Sequence, residues 1–415
     1  MWHYDAFPCP CLPPLWLLIA RLKTCSDMEK GKPLSVFMHP RAFWFLKFSG
    51  VSRYVCELAH HLEGMGVDVQ IPIKETINEY LKALPSFPRM AASACPAPFP
   101  IRAMHKILAS TPLREKARRM ELRYQSIQYM KSHEFDIIHP THNNAIEILP
   151  RMGNKPLVVT VHDMTHELRP SSFPATDPSS YRKRLFVERA QRVIAISECT
   201  KNDLVRLFNV NPDKIDVVHH GNSLTLPAHV DHIQMNIPAR YVLYVGGRNG
   251  YKNFHTFAEA FAKVAAADAT IHMVCAGGGA FSEAERQLLH QLGIAERCHQ
   301  MWVSDDELAV LYHRTECFVY PSEYEGFGLP ILEAFECGAP VICSEASCFP
   351  EIASYAASYF STTDSNDLAA KITQVLASPE MRQSLLDNGK KRLADFSWKK
   401  TAEKTLETYL KALGR

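Results

Sequence analysis

The stretch "YPSEYEGFGLPILEAFECGAPVI" (Tyr320–Ile342) sets two carboxylates, Glu325 and Glu333, around Gly326, Gly328 and Pro330. It follows the apolar run "ECFVY", which reads as a buried strand ending near Pro321. Pro330 suits the first turn of a helix, where a missing N–H costs nothing. Gly338 suits the position just past the helix end. The unit is therefore strand, glycine-rich turn, helix. Helix punctuation alone accounts for Pro330 and Gly338, but not for Gly-Phe-Gly or for a glutamate in the turn. Glycines let a ligand approach the backbone closely. A helix start offers free N–H groups and partial positive charge to an anion. The stretch predicts a phosphate held by backbone and a sugar held by carboxylates.

The same unit recurs along the chain. "LSVFMHP" (34–40), "FDIIHPTH" (135–142), "KPLVVTVHDM" (155–164), "RVIAIS" (192–197) and "KIDVVHHGNS" (214–223) are apolar runs ending in polar residues. Helical segments fall between most of them, which argues for a parallel sheet with crossover helices. After the linker "LTLPAHVDHIQMNIPAR" the pattern restarts with "YVLYVGG", "TIHMVCAGGG", "CFVYPS", "APVICS" and "ASYF". The fold class is α/β, with two halves and a boundary near residues 225–238. The expected domains are 28–228, 229–395 and a terminal helix at 396–415 that packs back towards the first half. Residues 1–27 hold an apolar run too short to span a bilayer and no basic leader. Met28 reads as a natural start, so 1–27 is expected to be a disordered extension or a mis-set start.

The chain has 415 residues, 47% of them hydrophobic, and a net charge of +2. That leaves no global field for nucleic acid, and no nucleic-acid partner is expected. The 12 cysteines form no metal-binding spacing and read as reduced thiols of a cytoplasmic protein.

Ligands of open α/β sheets lie outside the carboxyl ends of the strands. "YVGGRNGYKNF" (244–254) puts Arg248 and Lys252 there, in a Gly-rich turn. Two cations on such a turn suit a diphosphate, although a solvated basic turn looks similar. "FLKFSGVSRYV" places Ser49 and Gly50 before a helix, another phosphate cradle. "VVTVHDMTHE" ends a strand with His162 and Asp163, a histidine able to donate a hydrogen bond or act as acid or base. "HMVCAGGGAF" lacks the spacing of a dinucleotide fingerprint, which counts against an oxidoreductase.

Together these residues resemble glycosyltransferase family 4, retaining transferases of GT-B fold that use nucleotide-sugars. The resemblance runs over roughly residues 34–412. It rests on Glu325-x7-Glu333, "GGRNGYKNF", "GVSRYV", "VHD", "AISECTKNDL" and "FSW". Among subgroups the chain looks most like bacterial mannosyltransferases of O-antigen and exopolysaccharide assembly. The resemblance implies two Rossmann-like domains with the active site in the cleft between them. It implies Arg248 and Lys252 on the donor diphosphate, Glu333 on ribose, Glu325 facing the donor sugar, and His162 near the transferred sugar. Backbone N–H groups of Gly326, Phe327, Gly328 and Leu329 would hold sugar hydroxyls or phosphate. Gly50 would approach the diphosphate from the other domain, and the backbone near Val303 would meet the base. One departure is visible: the common Arg-Lys-Asn reads Tyr251-Lys252-Asn253, so Arg248 is left to carry the guanidinium role alone.

The implied reaction moves a hexose, best taken as mannose from GDP-mannose, to a glycan or lipid-linked glycan acceptor, with no cofactor and no metal. An epimerase or phosphorylase would share the architecture, but no pyridoxal-binding lysine site is evident. A non-catalytic relative would be marked by loss of Glu325, Lys252 or His162, and all are present. Finally, residues 101–131 hold eight Lys/Arg against two Glu. Leu113, Ala117, Met120, Tyr124 and Ile127 fall on one helical face there. The segment reads either as a basic helix lying on the inner face of an anionic membrane or as an ordinary helix facing the core.

Overall fold

The computed structural model describes residues 32–44, 46–94, 98–107, 113–141 and 146–415. The expected extension at 1–27 lies outside the described residues. The chain forms two three-layer α/β halves.

In the first half, β1 (Ser35–Met38) pairs in parallel with β2 (Asp68–Gln70) and β3 (Ile137–His139). A second parallel set, β4 (Val158–Val161), β5 (Arg192–Ala195) and β6 (Ile215–Val217), joins it through the bridges Ile138–Leu157 and Thr141–Thr160. The combined order is β2-β1-β3-β4-β5-β6. In the second half, β7 (Tyr241–Val245), β8 (His272–Ala276), β9 (Cys298–Met301), β10 (Cys317–Tyr320), β11 (Val341–Ser344) and β12 (Ala357–Phe360) form one parallel sheet of order β12-β11-β10-β7-β8-β9. Both sheets bury apolar side chains on both faces, as parallel sheets covered by helices must. The edge strand β9, "CHQM", is half-buried and has no apolar run to announce it.

Each sheet reverses its strand order once. In the second half the reversal lies between β7 and β10, so the turns after those strands open a crevice there. These turns carry Lys252 and Glu325.

The terminal helix Trp398–Ala412 leaves the second half and packs into the core of the first. Trp398, Ala402 and Tyr409 are buried there with Val36, Leu58 and Ile194. The crossing is tight. A Cβ on Gly221 would lie 2.2 Å from the Trp398 backbone nitrogen, so only glycine fits. Tyr409 then meets a buried hydrogen-bonded row. Its hydroxyl lies 2.6 Å from His139 Nδ1, His139 Nε2 lies 2.7 Å from Thr160 Oγ1, and that hydroxyl lies 2.8 Å from the Tyr54 hydroxyl.

The helix Arg114–Ser132 departs from the expected stripe. It buries Ala117, Leu122, Tyr129 and Met130 together with the polar Glu121, Gln125 and Ser126. Leu113 and Met120 face outward, at 52% and 48% exposure. Polar residues on the core face make the buried side unreadable from hydrophobic periodicity. No helix among the described residues is long and apolar enough to cross a membrane.

Candidate active site between the two domains

The turns after β7 and β10 are zipped together by hydrogen bonds. Asn253 takes a left-handed conformation, φ 58°. Its side-chain amide donates to the carbonyls of Pro321 (3.0 Å) and Thr362 (2.7 Å). The Glu323 N–H donates to the Tyr251 carbonyl at 2.8 Å. So held, Lys252 Nζ lies 2.5 Å from Glu325 Oε1 and 5.2 Å from the centre of the Tyr251 ring. Tyr251, the departure from Arg-Lys-Asn, thus sets an aromatic ring against the ammonium. Burial works against the Lys252 charge, but Glu325 outweighs it and holds the pKa above the ordinary lysine value. The lysine is a cation across the physiological range.

The glycines of Gly-Phe-Gly serve different ends. Gly328 has φ 92°, a left-handed backbone that favours glycine. Gly326 is the point of closest domain approach: a Cβ there would lie 1.7 Å from the His162 carbonyl oxygen. The Ser197 hydroxyl donates to the Gly326 carbonyl at 2.7 Å. Between the glycines, Phe327 is buried against His220 and Phe396, with ring centroids 5.0 and 5.9 Å away. Its side chain is a wedge between the domains.

Two helix starts converge on this point. Gly50–Gly64 begins with the Ser49/Ser52 capping box, and Leu329–Cys337 begins at Gly328 with Pro330 in its first turn. A Cβ on Gly50 would come 3.9 Å from Leu329 Cδ1. First-turn N–H groups have no intrahelical acceptor, so both domains aim partial positive charge into one gap. Val303 packs partly against the second-domain core, just before the helix Asp305–Arg314.

The structure overturns the reading of Arg248 as a cleft residue. Its side chain is 2% exposed and turned into its own domain. Nε donates to Glu285 at 2.9 Å, Nη1 to the Gly277 carbonyl at 3.1 Å, and Nη2 to the Gly279 carbonyl at 2.7 Å. With its donors spent on Glu285 and strand-end carbonyls, Arg248 anchors the turn that carries Lys252.

Residues not singled out in the sequence complete the contact between domains. Tyr324 donates to Asp203 at 2.8 Å and accepts from the Met164 N–H at 3.2 Å. Glu351 caps the helix Glu198–Phe208 of the opposite domain, accepting from the N–H groups of Glu198 (2.8 Å) and Cys199 (3.2 Å). Arg53 reaches across to Glu333 at 3.0 Å. It sits in the first turn of its helix, where a cation opposes the helix dipole. That misplacement was the one signal available in the sequence.

His162 belongs to a group of imidazoles at the carboxyl ends of the first-domain strands. Burial lowers its pKa from 6.5 to about 4, with Asp163 opposing. Burial likewise lowers His39 and His139 to about 3 and takes His220 well below 6.5. His162 is therefore neutral at pH 7 and can offer a hydrogen bond but not a charge. These shifts carry a stability prediction. Below pH 6.5 the unfolded chain binds protons that the folded chain refuses, so stability is full above that value and falls as pH drops. The slope is about 1.4 kcal/mol per pH unit for each such histidine. Calorimetry from neutral to mildly acid pH should show the first domain melting progressively earlier. A constant melting temperature would contradict the neutral assignments.

The model of Glycosyl transferases group 1 matches residues 232–392, and that of Glycosyltransferase Family 4 matches residues 48–225. The chain belongs to the family 4, group 1 glycosyltransferases. It is 28% identical over 269 residues to O-antigen chain mannosyltransferase B of Escherichia coli, covering 61% of this chain and 69% of that one. It is 27% identical over 399 residues to the MMP alpha-(1->4)-mannosyltransferase of Mycolicibacterium hassiacum, covering 88% and 95%. Sucrose-phosphate synthase from Thermosynechococcus elongatus superposes with a TM-score of 0.69 at 22% identity, covering 92% of this chain and 99% of that chain. This glycosyltransferase therefore has the GT-B fold, and it is a hexosyltransferase.

Proposed function

We propose that this glycosyltransferase moves mannose from a nucleotide-sugar, best taken as GDP-mannose, to a glycan or lipid-linked glycan in cell-surface polysaccharide synthesis. The observation that carries the reading is the Lys252–Glu325 pair, set beside His162 where Gly326 meets the opposite domain. Mannose is supported by the names of the two relatives. Glu333 takes the ribose hydroxyls, and the backbone at Val303 meets the base. Lys252 and the two helix starts take the diphosphate. Glu325 and neutral His162 orient the sugar.

The C1–O bond to phosphate breaks and a C1–O bond to the acceptor oxygen forms on the same face. Bond formation on the face the phosphate leaves retains the anomeric configuration, and the acceptor proton passes to the departing phosphate oxygen. The protein contributes position and electrostatic support of the leaving diphosphate. Lys252 supplies the neutralising charge, so the reaction is metal-independent. The test is a panel of GDP- and UDP-sugars with a lipid-diphosphate acceptor in EDTA, with NMR of the product. Turnover of GDP-mannose with an α-linked product is expected. Loss of activity on chelation, restored by Mg²⁺ or Mn²⁺, would overturn metal independence.

Such acceptors lie at a membrane, and the protein would work as a peripheral protein on its inner face. Phe99 and Ile107, each 75% exposed, and Leu113 and Met120 turn apolar side chains outward, and Lys116 and Arg119 are exposed in the same stretch of chain. Anionic lipid would attract those cations at roughly 1 kcal/mol each. Flotation with phosphatidylglycerol vesicles should be lost in Lys116→Glu/Arg119→Glu. Binding that ignores both lipid charge and these changes would sink the membrane reading.

A further inference from the structure

Arg53 starts in one domain and ends between two carboxylates of the other. Nη1 lies 3.0 Å from Glu333 Oε1, and Nη2 lies 2.8 Å from Asp305 Oδ2. Nη2 also donates to the Tyr80 hydroxyl, and the guanidinium carbon sits 4.8 Å from the centre of that ring. The side chains of Arg53 and Glu333 are each 10% exposed, whereas Asp305 is 51% exposed. The Tyr312 hydroxyl donates to the other Glu333 oxygen at 3.3 Å. Each carboxylate oxygen accepts two hydrogen bonds. These two bonds therefore leave one acceptor site on each oxygen, the number a vicinal diol would use.

We propose that Arg53 is a positioning residue for the nucleoside half of the donor, spanning the cleft to hold the Glu333 carboxyl group in place and the two domains closed over it. The proposal rests on the assignment of Glu333 to ribose. The groups facing Glu333 are Arg53 and Tyr80 from one domain and Asp305, Tyr312 and Cys337 from the other. Arg53 is the only cation among these. Burial pushes the Glu333 carboxyl up, and Arg53 pulls against it. Without Arg53, Asp305 remains as a like charge, and the carboxyl shifts further towards its neutral form. A neutral acid loses the charge-assisted bonds to ribose hydroxyls.

The test is calorimetric titration of the full chain and its Arg53→Met and Arg53→Lys variants with GDP, UDP and ADP. Each is paired with its 2′,3′-dideoxy analogue. The wild type should bind at least one ribonucleoside diphosphate. Arg53→Met should weaken that binding at least about tenfold. The loss should deepen towards pH 6 and shrink for the dideoxy analogue. Arg53→Lys should recover part of it, and it carries the same contrast if the methionine variant does not fold. Equal losses for ribo and dideoxy ligands, or no loss, would overturn the role of Arg53 alone. A wild type that binds none of the diphosphates would overturn the donor-site reading as well.

Discussion

Gly326→Ala is expected to leave both domains folded and to lower kcat by at least about a hundredfold, the usual consequence of moving reacting groups by an ångström. The added carbon would sit 1.7 Å from the His162 carbonyl oxygen and 2.8 Å from its carbonyl carbon. Both are backbone atoms and cannot swing aside. The domains must part, and parting breaks the Ser197 bond to the Gly326 carbonyl (2.7 Å) and the Tyr324 bond to Asp203 (2.8 Å). Glu325 and Lys252 then move away from His162. Each domain keeps its own sheet and buried core, so circular dichroism should be unchanged. Small-angle scattering should show a more open particle. Wild-type turnover from Gly326→Ala would mean that the domains already stand apart in solution.

Lys252→Ala is expected to lower kcat/KM by about a hundredfold or more, equivalent to roughly 3 kcal/mol of support for the departing diphosphate. The change also leaves Glu325, the 2.5 Å partner, as an uncompensated carboxylate in the turn. Lys252→Arg should recover some activity. Arg248→Ala provides the contrast. Its buried guanidinium holds Glu285 and strand-end carbonyls, so breaking that pair should cost about 3 kcal/mol of stability. Thermal melts beside steady-state kinetics separate the two outcomes. Equal kinetic losses at an unchanged melting temperature would return Arg248 to the cleft.

The two substitutions also mark how far the sequence could be read. Lys252, Glu325 and the helix that follows were legible because their signals are local. Apolar runs announce strands. Pro330 falls in the first turn of Leu329–Cys337, and Gly338 takes the left-handed position that ends it. Strand alternation pointed to the carboxyl ends of the strands, but the crevice itself lies where the sheet reverses its order between β10 and β7, which only the folded sheet shows. β9 escaped because an edge strand of half-buried residues carries no apolar run.

The sequence by itself determined the two α/β halves, the glycine-rich turns that follow their strands and the family of the chain. Each of the signals behind them is local, contained within about one strand–turn–helix unit. Tertiary structure alone decided where long side chains point. Arg248 and Lys252 stand four residues apart, yet one turns into its domain and the other towards Glu325. Arg53 and Glu333 meet across 280 positions. The need for glycine at 326 arises from His162 in another domain, and the need for glycine at 221 from the returning terminal helix. Which face of Arg114–Ser132 is buried was settled by polar partners such as Arg118, which donates to Glu121 at 3.0 Å and to the Glu75 carbonyl at 3.1 Å. A flexible side chain takes the partner that offers the best-desolvated charge or carbonyl, and that partner exists only once distant segments have packed.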